Sequence, residues 1–250
     1  MNSKRMSRYI APLVALLLLA TGGVSFAAPR HGANLPTATY EVTIYNLTGG
    51  QPFSPPVLAT HSRAVDVFTV GAQASEGIKE IAENGNNAVL VPALNSNPRV
   101  LEVVEGNAPL VPAANPGGTP FSNSTTLTIH ANLQARFLSA AFMLICTNDG
   151  FSGVDAVRLP PFVGSSSVIY SNGYDAGTEV NTEDFADIVP PCQGLIGVTS
   201  DDSGAGMSNP ALAEGGNIVH HPGVAGGNDL LSELHGWDDP VAKIVITRVN

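Results

Sequence analysis

Asp175 and Glu179 stand four residues apart in Tyr-Asp-Ala-Gly-Thr-Glu, with Gly177 between them. Asp149 opens a second short stretch, Asn-Asp-Gly-Phe-Ser-Gly-Val-Asp, which closes on Asp155. Three chemistries are open to such acids. They can be a solvated acidic turn, a carboxylate pair working on a glycosidic bond, or oxygen ligands for a hard cation. A carboxylate pair needs separations of roughly 5 to 9.5 Å across a sugar cleft, and a single Trp offers little to line one. Calcium instead wants six to eight oxygens, mixing carboxylates with backbone carbonyls and water. Gly177 lets the chain turn tightly enough for Asp175 and Glu179 to converge, because glycine tolerates positive φ. Asp149 from a neighbouring loop supplies a third acid. Spacing alone leaves these readings open.

Other reactive residues carry weaker patterns. His220 and His221 are adjacent and could ligate a transition metal or act as bases, but adjacent loop histidines commonly do neither. Ser203, in Asp-Asp-Ser-Gly-Ala-Gly, lies in a Gly/Ser/Asn-rich stretch without a G-x-S-x-G elbow. No twelve-residue calcium loop, phosphate-binding glycine loop or H-E-x-x-H helix occurs. Asn46-Leu-Thr and Asn123-Ser-Thr match the glycosylation pattern. Trp237 precedes the last apolar run and reads as a core anchor.

The composition narrows the class. Lys4, Arg5 and Arg8 precede an apolar run from Ile10 to Ala20, and Ser25-Phe26-Ala27 has the small-x-small form of a leader-peptidase site. Residues 1–27 are therefore expected to be a cleaved signal peptide and 28–38 a flexible segment. The run is short for a membrane anchor, and no later one is long enough to cross a bilayer. Loss of the leader removes three of eleven basic residues and no acid, so the net charge moves from −10 to −13. Such a balance excludes ordinary nucleic-acid binding, which depends on Lys and Arg meeting phosphates. The two cysteines, Cys146 and Cys192, form a candidate disulfide in an exported chain.

The elements that must position the acids are mostly strands. Residues 39–48 alternate Tyr40, Val42 and Ile44 against Glu41, Thr43 and Tyr45, the period of a half-buried strand. Further strands are expected at 99–104, 125–131, 137–145, 154–158, 167–170 and 241–249. Residues 72–84 change to helical period, with Ala74, Ile78, Ile81 and Ala82 on one face and Gly85 as a stop. The stretches 106–122 and 190–217 read as loop insertions. The 26 glycines and 19 prolines fit an antiparallel sandwich with long loops. The expected class is all-β, with about eight core strands and one short helix.

In order, Phe-Ser-Pro-Pro-Val-Leu-Ala-Thr-His-Ser-Arg-Ala-Val (53–65), Gly-Ala-Gln-Ala-Ser-Glu-Gly-Ile-Lys-Glu-Ile-Ala-Glu-Asn-Gly (71–85), the Asp149 stretch and Tyr-Asp-Ala-Gly-Thr-Glu resemble the spondin domain family. That family is the N-terminal module of F-spondin and mindin. The resemblance runs from about residue 39 to the final strand, so 39–250 is expected to be one spondin-like domain. It implies an antiparallel β-sandwich with one calcium ion at loops on one end. Carried over residue by residue, it implies Asp149, Asp175 and Glu179 as ligands, with Asp155 as a supporting or structural residue. Glu179 stands where the family has Asp, and Gly150 where the animal proteins have Trp. The thrombospondin repeats of those proteins are missing, so their matrix, integrin and glycan binding is not carried over. Glu183, Asp184 and Asp187 have no counterpart in the pattern and read as solvated charge.

The sequence thus points to an exported, non-catalytic, calcium-binding module for adhesion, with an extracellular glycan or protein as partner. The alternatives are a structural secreted protein whose calcium only ties loops, and a secreted hydrolase using Asp175 and Glu179 or His220 and His221.

Overall fold

A computed structural model describes residues 36–250. The expected signal peptide and most of the expected N-terminal segment lie outside the described residues. Ten strands form two sheets in which every pairing is antiparallel. The four-stranded sheet runs β4 (Ser124–Ala131), β1 (Ala38–Asn46), β10 (Ala242–Arg248), β7 (Ser166–Ser171). The six-stranded sheet runs β3 (Val100–Glu105), β2 (Val57–His61), β5 (Phe137–Met143), β6 (Gly150–Arg158), β8 (Gly173–Asp175), β9 (Val219–His220). Eight of the ten have five or more residues, which is the expected sandwich; β8 and β9 are short additions beside the candidate site.

The two sheets differ in how they meet water. In β1, Val42 and Ile44 are fully buried, whereas Glu41 faces solvent and Thr43 is half-buried. The six-stranded sheet is covered on both faces. Leu58, Leu138, Ala140 and Phe142 face the other sheet together with Ile44, Ile129, Ile244 and Ile246. Their strand neighbours Val57, Ala59, Ala141 and Met143 face a second core with Ile78, Ile81, Phe151 and Ile188. Double coverage explains why β5 is apolar without alternation. It also hides β2, which is buried at all five positions and follows Pro55-Pro56, so it reads as loop in the sequence.

The helix α1 (Glu76–Asn84) closes the second core. The Ser75 side chain accepts the Ile78 N–H, which caps its start. Gly85, at φ 61°, ends it in the left-handed conformation. Three shorter helices, α2 (Leu90–Asn95), α3 (Pro191–Ile196) and α4 (Ser232–His235), add to the one expected from periodicity; each has six residues or fewer, too few to show a helical period. α3 carries Cys192, which is bonded to Cys146 with a Cα–Cα distance of 5.1 Å. The bridge ties the 190–217 region to the end of β5. No helix among the described residues is long and apolar enough to cross a membrane.

Candidate metal centre

The turn from β5 into β6 is built by side chains. Thr147 donates to the Leu144 carbonyl at 2.6 Å and accepts the Gly150 N–H at 2.8 Å. A Cβ on Gly150 would stand 2.4 Å from the Thr147 hydroxyl, so an aromatic residue has no room in this form of the turn. Gly150 is itself buried. Gly150 pairs with Asp175 across β6 and β8, which brings the two acidic stretches side by side.

Asp149 is wholly buried. Its Oδ2 accepts the Thr178 N–H at 2.7 Å, the Glu179 N–H at 3.1 Å and the Thr178 hydroxyl at 3.3 Å. Its Oδ1 is equally buried and accepts nothing. Asp175 accepts the Gly177 N–H at 2.7 Å through Oδ1 and the Asn181 amide at 2.7 Å through Oδ2. The first of these closes an Asx-turn, with Gly177 at φ 67° beneath the Asn217 backbone. Glu179 is buried, and its Oε1 accepts the Asn209 N–H at 3.0 Å.

The electrostatics are those of acids short of positive charge. Burial pushes the Asp149 carboxyl up to about 6, and neighbouring Asp175 adds to the rise; the N–H donors of Thr178 and Glu179 offset part of it. Burial pushes Glu179 up to about 7, with Asn209 opposing and Glu83, Asp149 and Asp187 reinforcing. Among the described residues the one salt bridge is His130 with Glu102, elsewhere in the fold. His221, which feels the charge of Asp175, is held neutral by burial. Its Nδ1 accepts the Gly223 N–H, its Nε2 is unpartnered, and its ring packs against Trp237.

A hard cation would supply the missing charge and use the vacant Asp149 lone pairs, so the donor set fits one. Asp149, Asp175 and Glu179 are nevertheless not gathered tightly. Among the described residues, the acids whose ligand atoms all come within 4.8 Å of one another are Asp184, Asp202 and Asp229. That trio is mostly exposed, and Asp184 and Asp229 already accept the backbone N–H groups of Ala186 and Phe185.

Several neighbours escape sequence reasoning. Glu83, in the last turn of α1, is buried with an unpartnered Oε2. Its spacing from Glu76 and Glu80 reads as a polar stripe, so periodicity gives no sign of it. Asn148 accepts the Thr182 N–H at 3.0 Å and the Glu183 N–H at 3.3 Å, joining the two acidic stretches. Residues 209–217, read as insertion, pack against 177–180 through Glu214 N–H to the Thr178 carbonyl and Gly216 N–H to the Gly177 carbonyl. Glu183 is not merely solvated: it accepts the N–H groups of Ala225, Gly226 and Gly227.

The remaining candidates fall elsewhere. Asp155 accepts the Val67 N–H at 2.7 Å and the Ser139 hydroxyl at 2.8 Å, and Ser139 in turn meets His61. It pins the 62–67 loop to the sheet and shares no hydrogen-bond partner with Asp149, Asp175 or Glu179. His220 is exposed beside the Tyr174 ring. Ser203 is exposed, with no hydrogen bond to a histidine among the described residues. Asn46 is buried and donates to the Gln51 and Leu110 carbonyls, so this acceptor sequence is not displayed by the fold. Trp237 packs on the inter-sheet core, as an anchor should.

No curated protein matches the chain. The model of the Spondin_N family matches residues 39–184, more than half of the chain, from β1 through the turn that carries Asp175 and Glu179. The sheet extends past the matched span, since β10 lies between β1 and β7. By that match over more than half of its length, this chain belongs to the spondin N-terminal domain family.

Proposed function

We propose that residues 39–250 form an exported, non-catalytic module that binds one calcium ion through Asp149, Asp175 and Glu179. The leader 1–27 would direct it out of the cytoplasm; the extracellular character of the family and the Cys146–Cys192 bond support that reading. The observation that carries the proposal is the buried, unpartnered Oδ1 of Asp149, beside Asp175 and with no basic side chain in contact. Calcium would supply positive charge and a demand for oxygen ligands there. The protein's part is to hold the acids in place: Gly177 shapes the turn, Asn148 joins the stretches, and the Thr178 and Glu179 N–H groups orient Asp149. Clamping 146–155 against 174–179 would make a rigid end for an extracellular glycan or protein ligand.

Burial of all three carboxylates favours a second reading, in which the ion only ties loops and meets no partner. Thermal unfolding in calcium and in chelator, on wild type and Asp175→Asn, tests the site itself. A midpoint unmoved by chelation would overturn it. Glycan and matrix-protein arrays probed with and without calcium then separate a binding module from a loop tie.

A further inference from the structure

The strongest concentration of positive charge lies at the other end of the sandwich. Arg136, Arg158 and Arg248 line one cleft of about 310 Å³ between the start of β5, the end of β6 and the end of β10. Only seven Lys and Arg residues occur in 36–250, so three of them share this cleft. The chain carries twenty-one acids, yet none lines it.

The charges of Arg136 and Arg158 are unanswered among the described residues. Phe137 pairs with Arg158 across β5 and β6, and the Leu159 N–H bonds the Arg136 carbonyl, so both arginines stand at the same end of these two strands. Among the described residues neither guanidinium makes a hydrogen bond or a salt bridge. Arg248 is steadied by its bonds to a main-chain oxygen of Asn250 and to the Pro161 carbonyl, which use two of its five donors. Around them stand Leu133, largely exposed, with Leu159 and Pro161. A planar fork of donors above an apolar wall suits an oxyanion carried on an apolar body. The volume lies at the lower end of the range for small-molecule sites.

We propose that this cleft binds a small organic oxyanion, its carboxylate, sulfate or phosphate group held by Arg136, Arg158 and Arg248 and its apolar part lying on Leu133. The site is independent of the calcium centre, which sits at the opposite ends of β5 and β6, roughly 25 Å away along β6 at about 3.3 Å per residue.

The test titrates the full mature chain with hexanoate, hexyl sulfate and hexyl phosphate, followed by calorimetry and amide chemical shifts at low ionic strength. Hexanol is the uncharged control. Saturable one-site binding of any one anion, absent for hexanol and weakened by salt, is expected. The double variant R136Q/R158Q should bind at least tenfold more weakly, and R63Q/R99Q, an equal loss of two charges at exposed positions outside the cleft, should bind as wild type. Without ligand the R136Q/R158Q variant should unfold within a few degrees of wild type, because both side chains are exposed and make no hydrogen bond or salt bridge among the described residues. Should it fail to fold, Leu133→Glu, which adds an acid at the exposed rim, replaces it with the same expected loss. No saturable binding of any anion, or affinity unchanged in the cleft variants, overturns the proposal.

Discussion

Asp149 accepts the Glu179 N–H at 3.1 Å through one carboxylate oxygen, while its other oxygen, equally buried, accepts nothing. One residue therefore organises the turn that carries the next candidate ligand and also keeps a lone pair free within the same site. The two tasks separate on substitution. Asp149→Asn keeps an oxygen for the Thr178 and Glu179 donors but removes the charge that burial and Asp175 oppose. In chelator this variant should unfold within a few degrees of wild type, or later. Wild type should gain about 2–3 kcal/mol at calcium a hundredfold above its Kd, or roughly 5–10 °C for a domain of this size, and the variant should gain almost none. Calorimetric scans with and without calcium measure both.

The same acids set a pH dependence. Asp149 at about 6 and Glu179 at about 7 lie above their unfolded values near 4. A carboxyl raised on folding binds its proton more tightly in the folded chain, so its penalty is absent below pH 4 and complete above pH 7. Metal-free protein should therefore lose stability from these groups as pH rises from 4 to 7. Calcium must displace those protons, so its affinity should rise across the same window. Unfolding midpoints at pH 5 and pH 8, each in calcium and in chelator, should show a gap that widens with pH. An equal gap at both would remove these two carboxyls from the site.

Legibility in the sequence followed the number of exposed faces. β1 and β10 each have one core face, and their alternation is plain in the residues. β2 is buried on both faces and framed by Pro55-Pro56, so neither period nor boundary marks it. α1 announces itself through Ser75, Ile78, Ile81 and Gly85, whereas α3 and α4 are held by tertiary contacts and are too short to show a period. Asp149, Asp175 and Glu179 stand out in the sequence because an ordered set of short motifs resembles a family. Glu83 and Asn209 reach Glu179 from a helix end and a loop distant in sequence, and no local pattern encodes that meeting.

Gly177 tests whether the turn geometry matters beyond the charges. It holds φ 67°, and an added Cβ would stand 2.7 Å from the Asn217 carbonyl oxygen. Gly177→Ala should lose about 1–3 kcal/mol from the strained conformation and the clash. The displaced turn carries both Asp175 and Glu179, so calcium affinity should fall as well, by about tenfold or more. Gly71→Ala is the control, since Gly71 also has positive φ but an added Cβ there meets nothing. It should lose stability and keep its calcium affinity, as measured by titration against a calcium indicator.

The Cys146–Cys192 bond joins α3 to the residue three before Asp149, across a sequence separation of 46. In the chain-entropy view a loop of that length contributes about 4 kcal/mol. Replacing both cysteines with serine should lower the unfolding midpoint by roughly 10 °C for a domain of this size. Both cysteines are wholly buried, so serine hydroxyls in the second core add to that loss. The β5–β6 turn is independently closed by Thr147 and by Gln51, whose amide meets the Cys146 N–H and carbonyl. Calcium affinity of the folded variant should therefore change by less than the stability loss would imply, within about threefold. A parallel collapse of calcium affinity in chain that remains folded would mean that the bond, rather than the hydrogen-bonded turn, positions Asp149.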